Sequence, residues 1–138
     1  MFSALRLSCA ICAAVFSFNA YAFSSIAGSG NDAGTIAYSA NVENAADADD
    51  QAIKNCQRMP NARLQGAAPC TVLKRSTGPG YGALACDRAA SICSYVTGAV
   101  SQGAALMQAR EACVQSGAPA CPRTVMWKDF AGWPIQTP

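Results

Sequence analysis

The chain has 138 residues, with ten Lys and Arg against eight Asp and Glu, no histidine, and a formal net charge of +2. That near-balance argues against an obligate nucleic-acid or anionic-membrane partner. The missing histidine removes Ser-His and Cys-His catalysis, and the length suits one compact domain.

Residues 1–22 read as a secretory signal peptide. Arg6 supplies the positive n-region, Leu7 to Phe18 is an apolar run, and Ala20-Tyr21-Ala22 is a small-x-small cleavage site. A membrane anchor needs about 18 or more apolar residues, whereas this run is shorter and breaks at Asn19. Neither Cys9 nor Cys12 follows the pattern of a lipoprotein site, and both are expected to leave with the peptide. The expected product is soluble, periplasmic or extracellular, a monomer with no stable membrane insertion.

Phe23 to Asp32 is Ser/Gly-rich, and residues 23–33 are expected to form a flexible N-terminal arm. From there residues 34–138 read as one globular domain made of two copies of a β-α-β unit. The first copy, 34–75, opens with Gly34-Thr-Ile-Ala37 in a strand from Thr35 to Ala40. A helix follows, capped by Asn44, with Ala45, Ala48, Ala52, Ile53 and Cys56 as a narrow small-residue stripe. Met59-Pro60 stops it, and Cys70 to Lys74 is the closing strand. Ser76 to Gly80 marks the joint between copies.

The second copy, 82–128, repeats the order. Tyr81 to Cys86 and Ile92 to Thr97 read as a hairpin, an insertion relative to the first copy. Ser101 caps the second helix, which buries Ala105, Leu106, Ala109, Ala112 and Cys113 and ends at Gly117-Ala-Pro119. Thr124 to Lys128 is the last strand, followed by an aromatic C-terminal tail. A strand–helix–strand crossover places its strands in one sheet. The expected fold is therefore α+β: one four-to-five-stranded sheet with two helices on one face, in a split β-α-β layout of the ferredoxin-like kind.

Six cysteines lie beyond the signal peptide: Cys56, Cys70, Cys86, Cys93, Cys113 and Cys121. An even number behind a signal peptide implies disulfides formed in an oxidising compartment. Cys56 and Cys113 each end a helix, and Cys70 and Cys121 each open the strand that follows. Equivalent positions should pair equivalently, which predicts Cys56–Cys70 and Cys113–Cys121 and leaves Cys86–Cys93 to close the hairpin. Zinc binding wants shorter spacers, and the redox spacing Cys-x-x-Cys is absent beyond the signal peptide.

Gly34-x-Ile-Ala-Tyr-Ser39, Ala52-x-x-x-Cys56, Cys70-Thr-Val, Gly82-Ala-Leu-Ala85, Ala109-x-x-x-Cys113 and Cys121 carry a resemblance over residues 34–128. In these the chain resembles the small secreted bacterial family catalogued as domain of unknown function 4189. The resemblance implies secretion and the helix-cysteine, strand-cysteine pairs. It implies no activity and no catalytic residues.

No constellation for chemistry emerges. Glu43, Asp47, Asp49 and Asp50 suit the positive end of a helix, and they lack the glycine and distal glutamate of an EF-type calcium loop. No motif sets a serine beside Lys54, Lys74 or Lys128. Gly78-Pro-Gly80-Tyr-Gly82 has no lysine and hydroxyl after it to make a phosphate loop. No cofactor and no metal are expected. The basic interval Lys54, Arg58, Arg63, Lys74 and Arg75 is either a solvated surface or a patch for an acidic partner. Trp127, Phe130 and Trp133 are either an interface anchor or the lid of a core short of large side chains. Trp127, Phe130, Trp133, Arg58 and Arg63 are accordingly the candidate interface residues. The function expected is a secreted, non-catalytic interaction module, of inhibitor or immunity type, with a protein partner. The alternatives are a structural or envelope-maintenance protein without a tight partner and, third, an enzyme of unrecognised chemistry.

Overall fold

A computed structural model describes residues 22–30, 32–76 and 79–130. Its elements are β1 (Phe23–Ser29), β2 (Asp32–Val42), α1 (Ala45–Gln57), β3 (Cys70–Arg75), β4 (Tyr81–Asp87), β5 (Ile92–Ala99), α2 (Gln102–Gln115) and β6 (Arg123–Lys128), with a short 3-10 turn at Asn61–Arg63. Among the described residues no helix is long and apolar enough to cross a membrane.

Both helices begin where a side chain replaces a missing backbone acceptor. The Asp47 N–H donates to the Asn44 side chain at 2.8 Å, and the Ala104 N–H donates to the Ser101 hydroxyl at 3.1 Å. The last turn of α2 closes in a Schellman arrangement. Gly117, at φ +103, donates its N–H to the Val114 carbonyl at 3.0 Å, and Ala118 donates to the Cys113 carbonyl at 3.4 Å. Each helix buries one stripe at four-residue spacing: Ala48, Ala52 and Cys56 in α1, Ala105, Ala109 and Cys113 in α2. Stripes this narrow let a helix lie close on a sheet, and the sheet residues beneath are small as well: Ala27 under α1, Ala83 and Ala85 under α2.

The strands form two three-stranded antiparallel sheets, ordered β2-β1-β3 and β5-β4-β6, in place of the single four-to-five-stranded sheet expected. Both helices do not share one face either. α1 covers the first sheet and α2 the second, while the inner faces meet in a common layer containing Ile26, Ile36, Leu84 and Trp127. The result is a helix, two sheets back to back, and a helix. Within each half the split β-α-β element does hold, since β2 and β3 flank β1, and β5 and β6 flank β4.

The N-terminal arm is corrected for the same reason. Phe23–Ser29 is the central strand of the first sheet, and Ser24 to Gly28 are all buried. Its small residues serve close packing on two sides. A Cβ at Gly28 would meet the Leu73 side chain at 2.7 Å and the Thr35 carbonyl at 3.1 Å. The serine hydroxyls have partners too: Ser25 donates to Asp49 Oδ1 at 2.7 Å, and Ser29 to the Ala68 carbonyl at 3.0 Å.

With β1 in place, the hairpin β4–β5 is no insertion, because β1–β2 is its counterpart. The registers match pair for pair: Ile26 opposite Tyr38 and Leu84 opposite Tyr95, Ala27 opposite Ala37 and Ala85 opposite Ser94. The repeat unit is therefore β-β-α-β. Gly34-Thr-Ile-Ala37 matches the start of β5, and Gly82-Ala-Leu-Ala85 matches Ser24-Ser-Ile-Ala27. Equivalent strands β2 and β5 contact one another across the sandwich, where a Cβ on Gly34 would press on the Ser91 backbone at 3.0 Å.

The cysteines pair as the repeat predicts. Cys56–Cys70 and Cys113–Cys121 span Cα distances of 6.1 and 6.4 Å, and Cys86–Cys93 joins directly opposed residues of β4 and β5 at 4.1 Å.

Candidate functional site

The register of β6 on β4 sets Arg123 opposite Cys86, and Arg88 follows Cys86 by two residues in the β4–β5 turn. Both arginines thus sit at one end of the second sheet, and both are exposed. Beside them the sheets part into a cleft of about 840 Å³, within the size range of binding pockets. Thr35 and Ile36 of β2 and Met59, Pro60 and Asn61 after α1 form the wall from the first half. Leu84, the Cys86–Cys93 disulfide, the β4–β5 turn and residues 122–125 of the β6 segment form the wall from the second.

The carboxylates around this cleft are engaged. Asp87 accepts the Ala89 and Ala90 N–H groups at 2.9 and 3.1 Å, closing the turn whose last residue, Ser91, has φ +53. Asp32 accepts the Thr35 hydroxyl, the Asn61 amide at 2.8 Å and the Gly34 N–H at 2.8 Å. Led by the Thr35 hydroxyl, these donors hold the Asp32 carboxyl below the usual carboxylate value. The guanidiniums of Arg88 and Arg123 make no ion pair among the described residues.

The interface candidates named from sequence lie elsewhere. Trp127 is 8 % exposed and is not available to a partner. Its indole covers Gly82, where any Cβ would overlap the ring, and stacks on Tyr38 of the other half at 4.7 Å. Trp127 is thus packed inside the core. Phe130 is half-buried and meets Tyr81 edge-on at 5.5 Å, while Trp133 lies outside the described residues. Arg58 forms the end of α1, exposed, with its N–H on the Lys54 carbonyl at 3.2 Å. Arg63 is exposed and donates Nε–H to the Gln57 carbonyl at 3.3 Å. Neither lines the cleft. The basic interval divides further, because Arg75 pairs with Asp49 on α1.

Arg88 and Arg123 are the residues that sequence reasoning passed over. The available signal was that each stands two residues beyond a disulfide cysteine, Cys86 and Cys121, and so is rigidly placed.

A second polar group lies at the opposite end of the sandwich. Asp129, fully buried, accepts the Ser24 hydroxyl at 2.6 Å and the Asn41 N–H at 3.3 Å, and Asn41 takes the left-handed backbone (φ 57). Ser24 and Ser76 bond one another, N–H to hydroxyl at 2.8 Å and N–H to carbonyl at 2.9 Å. This cluster ties the end of β6 to both β1 and β2. Burial pushes the Asp129 carboxyl above its ordinary value, and the Ser24 hydroxyl, the Asn41 N–H and the nearby Trp127 and Ser76 groups offset part of that push. The Trp127 N–H itself makes no hydrogen bond of full geometry. Because the folded value is raised, this carboxyl's contribution to stability is complete below its unfolded value and lost as pH rises through the folded one. Asp129→Asn is therefore expected to gain stability relative to the parent as the pH rises above the unfolded carboxylate value of about 4. Asp49 acts in the opposite sense. Arg75 lowers it first of all, so its contribution is held above the unfolded value and lost in acid, and it is common to both proteins. Urea unfolding as a function of pH checks the difference, and a constant gap between the two proteins would contradict it.

No protein-family model, no curated protein and no solved structure matches the chain.

Proposed function

We propose that this is an exported, non-catalytic binding domain that contacts another envelope or extracellular protein through the cleft between its two sheets. The observation that carries this is that Arg88 and Arg123 both line an open cleft whose one lining acid, Asp87, is bonded to the turn's own N–H groups. Export is supported by the signal-peptide features of residues 1–22 and by the three disulfides. Binding rather than catalysis is supported by the absence of histidine and by the engagement of all six described cysteines in disulfides. The serine–carboxylate pair Ser24–Asp129 is shut away from any substrate.

The test is affinity capture from native envelope and culture-supernatant fractions, using the oxidised protein purified from cells that export it. Val125→Trp serves as the control. Val125 is 38 % exposed and lines the cleft, so an indole there obstructs the cleft while suiting a strand. One partner captured by the parent protein and lost with Val125→Trp is the expected result. A partner captured equally by both would place the contact surface elsewhere.

A further inference from the structure

Two edges of the sandwich are equivalent, β3 in the first sheet and β6 in the second, and each is paired on one side only among the described strands. They differ in how they are protected. The pairing of β3 with β1 shifts register at Ile26/Ala27, and its Arg75 is drawn onto Asp49 of α1. Bulges and tied-down charges of this kind blunt an edge. The pairing of β6 with β4 runs from Arg123 to Lys128 without a shift, and Val125 and Met126 in its middle are each 38 % exposed. A flat edge of that sort offers backbone N–H and C=O groups to an added strand.

The cleft lies against this edge. Side chains of a strand alternate between its faces, and directly paired residues of neighbouring strands share a face. Arg123 and Val125 line the cleft together with their partners Cys86 and Leu84, and Pro122 and Thr124 line it as well, so the cleft follows the first half of β6. The lining carries two arginines, Arg88 and Arg123, against one carboxylate, Asp87, so its net charge is positive, and neither arginine makes an ion pair among the described residues.

Resting on the reading that this cleft is the contact surface, we infer that its occupant is an extended acidic segment of a partner protein. The segment adds as a strand to the outer edge of β6 and turns carboxylates toward Arg88 and Arg123. Main-chain hydrogen bonds give the affinity, and the two guanidiniums select acidic side chains.

The probe is an end-capped octapeptide of alternating glutamate and valine, titrated calorimetrically into the oxidised protein. A lysine-for-glutamate version, a version N-methylated at its four central residues, and free glutarate are titrated beside it. The acidic peptide is expected to bind, with the lysine and N-methylated versions weaker by about tenfold or more. Arg88→Ala with Arg123→Ala, both exposed positions, is expected to weaken the acidic peptide by about tenfold while the circular dichroism stays that of the parent. Equal binding of the N-methylated peptide, or full displacement by glutarate, would overturn strand addition. Equal binding of the lysine peptide would overturn the acidic preference. No peptide binding, together with a captured partner that is lost with Val125→Trp yet kept by the arginine variant, would overturn this inference and leave the cleft as the contact surface. Capture insensitive to every variant would overturn both.

Discussion

Trp127→Ala is expected to lower the stability of the oxidised domain by about 3–5 kcal/mol, the range for deleting a large buried aromatic. Trp127 is the largest side chain in a core otherwise built from alanine, isoleucine, leucine and cysteine, and it joins the two halves. Its ring lies on Gly82 of its own sheet and stacks at 12° on Tyr38 of the other. Truncation removes both contacts and leaves a hole over a glycine, which has no side chain to relax into it. Urea unfolding followed by far-ultraviolet circular dichroism measures the loss. Tyr38→Ala in the same background should cost less than in the parent, with a coupling of about 0.5–1.5 kcal/mol, because the stacked pair is then already broken. An unchanged midpoint for Trp127→Ala would remove this residue from the core and return it to the surface role considered from sequence.

The second large effect concerns the disulfides that end the helices. α1 and α2 meet their sheets through alanine stripes, and burying a methyl contributes only about 0.8 kcal/mol. The helix–sheet contact is therefore weakly held by area, and the cystine at the end of each stripe fastens it to the next strand. Replacing Cys113 and Cys121 by serine is expected to cost about 2–4 kcal/mol, through the loop entropy released in the unfolded chain. Two serines would also stand where cystine now lies buried against Ala109 and Ala118. Hydrogen exchange should show α2 losing protection ahead of β4, its sheet's central strand. Protection of α2 equal to the parent's would mean that the alanine stripe alone holds the helix. Reducing all three bridges together should remove the cooperative transition.

Local features were readable in the chain because local chemistry determines them. Asn44 and Ser101 cap helices wherever those helices pack, and Gly117 ends α2 because few other residues take its backbone angle. The cystine pairing was readable for a related reason. It requires only that each helix ends in a cysteine and each following strand begins beside one, and that holds although the sequence repeat sets the two copies one strand out of step. Gly34-Thr-Ile-Ala37 resembles Gly82-Ala-Leu-Ala85 in composition, yet their positions differ, since the first lies in the second strand of its half and the other in the first. The better guides were the tyrosines, Tyr38 and Tyr95, which stand opposite Ile26 and Leu84 in matching registers.

What the sequence by itself determined is the set of short-range commitments: six cysteines in three bridges, two capped helices with alanine faces, and β-branched runs for most strands. Tertiary structure alone decided how those pieces meet. Phe23-Ser-Ser-Ile-Ala-Gly-Ser29 is composed like a loop, and becomes a central strand only because a helix packs on one of its faces and a sheet on the other, where small residues fit. Trp127 is core rather than interface because Gly82 and Tyr38, remote in sequence, leave room and a stacking surface for it. Arg88 and Arg123 line one cleft because a strand register joins positions 86 and 123. Register and face-to-face packing depend on residues far apart in the chain, and no local pattern encodes which apolar face will find which.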